Sequence, residues 1–328
     1  MKKMLYLLFL VICITVSCRL TDSGWNNFNP PGDSQFTHQA TAEPVYTTLS
    51  TILYDNYAFT ADGAGYITIY NVINSLDPYL INHFQLPASN PVRKIEVDWR
   101  INLYVASGDG GLYILDCSNP SSPFMITEEP NIQANDLSYF EDYLAVIVGT
   151  GFRLYYLSGN STLFEVNSFD FFDGRRPMKI LLKDNWLYVF SENNFDIFDV
   201  TNLYNISHEY GFYFHNRFVD FTILTDFIVL ITTSDLFYID IFNPLHAEVV
   251  KSYALAAMPS SISARNEFLF IGWENRNLSA YKILSIDVEP LEDARIYMPY
   301  VVRDIDFKND MIYLSIGQGG LAIYYYWM

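Results

Sequence analysis

One segment pattern recurs seven times along this chain, and it constrains the fold more than any other feature. A short apolar strand is followed by a polar turn, an aromatic-led strand, a loop of Gly, Asp or Asn, and a third strand. The second strand of each copy starts at Tyr57, Leu103, Tyr143, Trp186, Phe227, Phe268 and Met311, at steps of 40 to 46 residues. An all-β period of this length is that of a propeller blade. The expected fold is therefore all-β: a seven-bladed β-propeller of four-stranded antiparallel blades. With 51% hydrophobic and only 17% charged residues, the chain can bury such a core. Repeat architectures run long as one unit, so 328 residues need not mean two domains.

Each blade reads as strands A to D. Turns between A and B, such as Asp55-Asn56, Glu141-Asp142 and Asn309-Asp310, carry tight-hairpin chemistry. Loops between B and C, such as Gly108-Asp109-Gly110-Gly111 and Gly317-Gln318-Gly319-Gly320, supply positive-φ positions. The last copy stops after strand C, near Trp327, and would leave an open edge. Residues 34–42 have no blade of their own, and they are the expected donor of the missing outer strand. A single propeller domain is thus expected over 34–328.

The N-terminus reads as a processing segment. Lys2 and Lys3 precede an apolar stretch, Met4 to Val16, too short to span a bilayer. It ends Ile14-Thr15-Val16-Ser17-Cys18, which resembles a bacterial lipobox with Cys18 as the lipid-attachment residue; Thr15 departs from the usual leucine. Residues 1–17 are expected to be the signal peptide and 18–33 a polar, flexible tether. Of the remaining thiols, Cys13 leaves with the signal and Cys117 falls in an apolar strand, so no disulfide framework is expected.

The repeat resembles the LVIVD family of bacterial surface β-propellers. Tyr57 to Val72, Leu103 to Pro120 and Met311 to Tyr324 carry the resemblance. The copies at Tyr143, Trp186, Phe227 and Phe268 keep the spacing and lose most of the motif. The resemblance implies a cell-envelope location, lipid-anchored at the outer membrane or cell surface, and says almost nothing of activity.

One register collects polar residues. Seven positions before each strand-B start lie Ser50, Glu96, Asp136, Lys179, Asp220, Ser261 and Asp304. The family repeat typically has Asp there. Strand A is innermost, so the register should ring a channel mouth. A cation-binding ring is one reading. The favoured reading is that each carboxylate bonds the neighbouring blade, because buried polar repeats usually serve the repeat; Lys179 argues further against a metal. On the same face, loops between blades bring Phe171, Phe172, Arg175, Arg176, Phe214, His215, Asn216 and Arg217, a mixture typical of binding hot spots; the reading of equal weight is that these phenylalanines finish strand D and pack on the blade. Acids of the B–C loops (Asp62, Asp109, Glu192, Asp235, Glu274) join them.

No phosphate loop, zinc spacing or nucleophile elbow is present in the sequence, and the five histidines fall at unlike repeat positions. No catalytic residue, metal or cofactor is expected. Removing residues 1–17 leaves 17 basic against 37 acidic residues, a net of −20, which disfavours nucleic acid. Two function classes remain: a binding scaffold for an envelope or extracellular protein or glycan, with the membrane met only through the anchor; or a propeller enzyme, hydrolase- or lyase-like, acting on a small substrate at the channel mouth. Aromatics and arginines on loops favour binding.

Overall fold

Among the residues that the computed structural model describes (35–44, 46–159 and 162–326), twenty-eight strands sort into seven four-stranded antiparallel sheets. The expected signal peptide, the tether and Cys18 lie outside the described residues. Each sheet is a blade, with strand A innermost and strand D at the rim. The inner strands are Thr48–Tyr54, Lys94–Val97, Ala134–Phe140, Pro177–Lys183, Phe218–Leu224, Pro259–Arg265 and Asp304–Lys308 in blades 1 to 7.

The core lies between blades rather than within one. Phe59, Ile67 and Ile69 of blade 1 pack on Ile95, Val105 and Tyr113 of blade 2, and like clusters fill the later seams. Strands B and C are covered on both faces. They therefore read as near-continuous apolar runs, as in Phe227-Ile228-Val229-Leu230-Ile231, where every residue but the first is buried. Strand D has one face in water; Ser207–Tyr213 is almost wholly exposed.

Blade 7 has the order Phe36–Ala42, Leu321–Tyr326, Met311–Ser315, Asp304–Lys308. The N-terminal strand is thus the outer strand of the last blade, as the unmatched segment implied. It pairs antiparallel, Phe36 with Tyr326 and Ala42 with Leu321, and its register shifts between His38 and Ala40. The C–D pairs of the six other blades carry a similar shift, so the donated strand reproduces even the bulge of the strand it replaces. Phe36 is buried against Tyr326, ring centroids 4.8 Å apart. Gly320 shapes this junction: its φ is +79°, and a Cβ there would lie 2.4 Å from the Ala42 carbonyl oxygen.

Six A–B turns are two residues long, with the first residue at φ between +47° and +54°. Asp, Asn, Glu and Thr occupy that position; short polar side chains that bond their own backbone tolerate it best. Blade 2 differs. Its turn spans 98–101 and is organised by the buried Asp98, whose carboxylate accepts the N–H groups of Arg100 and Asn102 (2.8 Å each), the Asn102 side-chain amide (2.9 Å) and the Tyr104 hydroxyl (3.1 Å). This longer turn corrects one expectation. Strand B starts at Asn102, and Lys94, paired with Ala106, takes the register that the count had given to Glu96. Glu96 lies two residues further along the strand.

Candidate functional site

Strand A brings two tiers of side chains to the channel. The first holds Ser50, Lys94, Asp136, Lys179, Asp220, Ser261 and Asp304. The second, two residues on, holds Glu96, Ser138, Thr222, Ser263 and Asp306, while Ile52 and Leu181 at the same position pack into the apolar clusters between blades. Neighbouring inner strands are joined through these tiers, always from one blade to the next. Asp136 accepts the Ile180 N–H at 2.8 Å, and Ser138 accepts that of Leu182 at 3.0 Å. Asp220 accepts from Ile262 (3.1 Å) and Thr222 from Ala264 (3.0 Å). Asp304 accepts from Thr51 and from the Ser50 hydroxyl (3.0 Å each), and Asp306 from Leu53 (2.8 Å). The seams between blades 3 and 4, 5 and 6, and 7 and 1 are each stapled twice.

The seam between blades 4 and 5 is built otherwise. Their inner strands stand more than 8 Å apart over nearly their whole length. A carboxylate cannot reach a backbone N–H across that gap, but a lysine can. Lys179 of blade 4 meets Asp220 of blade 5 at 3.1 Å. Lys94 pairs with Glu96 at 3.2 Å. Burial would lower both ammonium pKa values. The acids outweigh it: Glu96, Asp304 and Asp136 hold Lys94 above its ordinary value, and Asp220 and Asp136 do the same for Lys179. Burial pushes Asp136 up to about 6, against Lys179, Lys94 and the Ile180 N–H. It does the same to Asp306, also to about 6, against the N–H groups of Phe307 and Leu53. Two lysines interleaved with five acids give a lattice of internal pairs. Among the described residues, no group of three or more His, Cys, Asp or Glu is arranged to hold a metal ion.

The strand ends at the same mouth as the first tier, where the B–C and D–A connections lie, form the second region. Phe172 is 99% exposed at the tip of the loop between blades 3 and 4. Arg175, in the same loop, is held from several sides. Its guanidinium lies over the Phe171 ring at 4.8 Å, bonds Asp173 at 2.6 Å, and reaches both oxygens of Asp196 at 3.0 and 2.8 Å. Asp196 is 1% exposed and lies on strand C of blade 4, Asn194–Asp199; it also meets His208 Nε2 at 2.9 Å. Arg176 and His215 are exposed, the latter edge-on to Tyr213. Phe171 and Phe214 are buried and finish their blades rather than face solvent. Arg217 pairs with Glu192 at 3.4 Å, Asn216 with Asp235 at 2.7 Å, Arg303 with Glu274 at 3.1 Å, and Gln133 with Asp109 at 2.6 Å. Asp109, Glu192 and Glu274 therefore tie down the loop that follows their own blade, whereas Asp235 ties down the loop that precedes its blade. Asp62 differs: it accepts the N–H groups of Ala64 and Tyr66 in its own turn.

The structure does not bring the sequence candidates into one site. Asp136, Asp220, Asp304, Lys179 and Glu96 line the channel, while Arg175, Arg176, His215 and Arg217 sit in loops of two different seams. Sequence reasoning missed Lys94, Asp196 and His208. Asp196 carried a signal: it is a lone charge inside an apolar strand, Phe195-Asp196-Ile197-Phe198, whose neighbours are all buried.

These features define a seven-bladed β-propeller. Residues 102–128 and 174–208 match the LVIVD repeat. The first match covers the copy at Leu103. The second corrects the reading of the Trp186 copy, whose Leu187-Tyr188-Val189 and Phe198-Asp199-Val200 keep the motif although its B–C loop lacks the glycines. No curated protein matches the chain. Among solved structures, the crystal structure of the computationally designed Ika8 protein is similar, with a TM-score of 0.65 at 8% identity, over 88% of this chain and 99% of that one. A likeness at that identity speaks for the fold alone.

Proposed function

We propose that this protein is a lipid-anchored component of the bacterial cell envelope whose propeller is a binding scaffold for a protein partner, engaged through the loops between blades 3 and 4. The observation that carries this reading is the locked Arg175. A buried carboxylate, a second acid and an aromatic face together fix a loop whose tip is a fully exposed phenylalanine. A rigid, exposed aromatic beside arginines costs little entropy to order on binding, as interface hot spots require. The anchor is inferred from Ser17-Cys18 behind an apolar segment. Stable anchoring takes more than one acyl chain, which lipoprotein processing supplies.

An enzyme reading has one feature in its favour, the His208–Asp196 contact, which resembles the orienting half of a catalytic base. Asp196 is already engaged by Arg175, however, so the contact serves loop geometry as well as it would serve catalysis. The test is capture from an envelope extract with the propeller domain and its Phe172→Ser variant. A partner retained by the wild type and lost by the variant is expected; equal capture by both would overturn the assigned face. Separately, Cys18→Ser in the full chain should shift the protein out of the membrane fraction, and unchanged fractionation and mass would overturn the anchor.

A further inference from the structure

The two ends of the propeller differ in apolar character. The A–B turns and C–D connections lie at one end, and the B–C and D–A connections at the other. The strongly exposed aromatics are found at both ends. Every strongly exposed Ile, Leu or Val among the described residues, however, belongs to a C–D connection or to the first residues of the strand D beside it. They are also confined to one arc. Ile73 and Leu76 are in blade 1, Leu245 in blade 5, and Leu284 and Val288 in blade 6; Phe242 of blade 5, 79% exposed, stands with them. The corresponding connections of blades 2 and 3 are polar, Ser118-Asn119-Pro120-Ser121-Ser122-Pro123 and Ser158-Gly159. Blades 5, 6 and 1 flank blade 7, which has no C–D connection. In its place the N-terminal strand begins, with Phe36 opposite Tyr326. The chain therefore enters the domain in the middle of the apolar arc.

We infer that this arc is a docking surface for a zwitterionic lipid bilayer, which holds the domain with its C–D end toward the membrane and its B–C and D–A loops away from it. The inference rests on the lipid-anchor reading only for the direction from which the chain arrives. Sixteen residues lie between Cys18 and Gln35, a distance of at most about 60 Å when fully extended. An anchor on that connector keeps the arc near the bilayer. Apolar side chains carried on loop tips gain by entering the headgroup region, which a flat polar face does not. The A–B turns beside the arc carry Asp55 and Asp226 together with Glu267 and Asp310, the last two paired with Lys282 and Arg265, and the C–D connections add the exposed Asp77, Asp287 and Glu289, so the net charge is negative and an anionic surface is repelled. This charge is why the surface is assigned to neutral lipid. It also leaves Phe172 and Arg175 at the end facing outward.

The domain starting at Gln35 is suited to the test, because every strand of the seven blades lies within 36–326 and because it lacks Cys13 and Cys18. In a Cys117→Ala background, single cysteines at Leu284, Ser121 and Phe172 are labelled with an environment-sensitive dye and titrated with phosphatidylcholine vesicles. The dye at position 284 should shift to the blue and brighten at least twofold, while dyes at 121 and 172 stay within a tenth of their starting intensity. Phe242→Ser combined with Leu245→Ser should weaken the partitioning at least tenfold, and replacing half of the lipid with phosphatidylglycerol should weaken it further. No response at 284, or an equal response at 172, overturns the docking face. So does a vesicle-independent response at 284 that grows with protein concentration and tracks dimerisation by sedimentation, since the arc would then join two copies. Because the domain has no Cys18, failure here leaves the Cys18→Ser result standing, and failure of that result leaves this one standing.

Discussion

Asp304→Ala tests the claim that the inner ring is a set of staples between blades. Asp304 joins the last blade to the first, and its carboxylate accepts the Thr51 N–H and the Ser50 hydroxyl at 3.0 Å each. Both donors belong to residues that are at least 96% buried. Truncation leaves the Thr51 N–H without its acceptor, which costs about 1–3 kcal/mol. The Ser50 hydroxyl can rotate, so its loss adds roughly 0.5–1 kcal/mol. The sum, about 1.5–4 kcal/mol, should lower the Tm by roughly 3–8 °C for a domain of this size. Asp304→Asn keeps an acceptor but not the charge and should cost about half as much. Asp310→Ala is the control: it removes a largely exposed carboxylate of the same blade as Asp304, 3.7 Å from Arg265 of blade 6, and should stay within about 0.5 kcal/mol of wild type. Urea and thermal unfolding of the propeller domain, with and without calcium, read all three. An Asp304→Ala domain as stable as the Asp310→Ala control would refute the staple argument. A wild-type Tm that calcium raises by several degrees, with the rise lost in Asp304→Ala, would make the ring an ion site instead.

Asp136 and Asp306, both raised to about 6 by burial, fix a pH dependence. The folded state holds these protons where the unfolded state has lost them, so stability from these groups is greatest near pH 4 and declines as pH rises through 6. Asp306→Asn should therefore gain on the wild type between pH 4.5 and pH 7, by up to roughly 2 kcal/mol; a constant difference across that range would contradict the assignment. Gly320→Ala presses a methyl group on the Ala42 carbonyl at a positive-φ position and should speed protease cleavage at the N-terminal strand, whereas an unchanged digestion pattern would remove the close approach as a constraint. Deleting residues 34–42 should abolish the cooperative melt, and a Tm within a few degrees of wild type would show that the strand is dispensable. Lys179→Met breaks the reach to Asp220 at 3.1 Å across the wide seam. Hydrogen exchange should then quicken in strand A of blade 4 more than in that of blade 3, and equal protection in the two would count against the wide seam as the weak point.

The blade count was legible because strand B is a doubly buried apolar run in every copy, aromatic-led in five of the seven. Closure was legible by subtraction, since blade 7 lacked an outer strand and residues 34–42 lacked a blade. The ring register was legible wherever the A–B turn has two residues. It failed at blade 2, where Asp98 folds a longer turn and shifts the count from Lys94 to Glu96. The pairing of seams was not legible at all. Asp136, Lys179 and Asp220 occupy one register in the sequence, yet two of them bond a backbone N–H and the third spans a gap, because strand spacing is set by packing that no single repeat encodes. Asp196 and His208 escaped for a related reason: Asp196 joins them to Arg175, which comes from the loop before the blade.

Strand donation sets a schedule for the chain. Phe36 is made 290 residues before Tyr326, the residue it pairs with. At roughly 5–20 residues per second, synthesis separates them by about 15–60 s. For that interval the first strand has no partner, and blade 1 meets no neighbour on its Asp304 side. The sequence Phe36-Thr37-His38-Gln39-Ala40-Thr41-Ala42 suits the wait. It is mostly small or polar, with one large apolar side chain, and so makes a poor template for intermolecular pairing. A chain interrupted anywhere before residue 321 keeps that strand loose. Completion of the ring thus reports that synthesis has passed residue 326, and any product that stops short of it remains open to proteolysis.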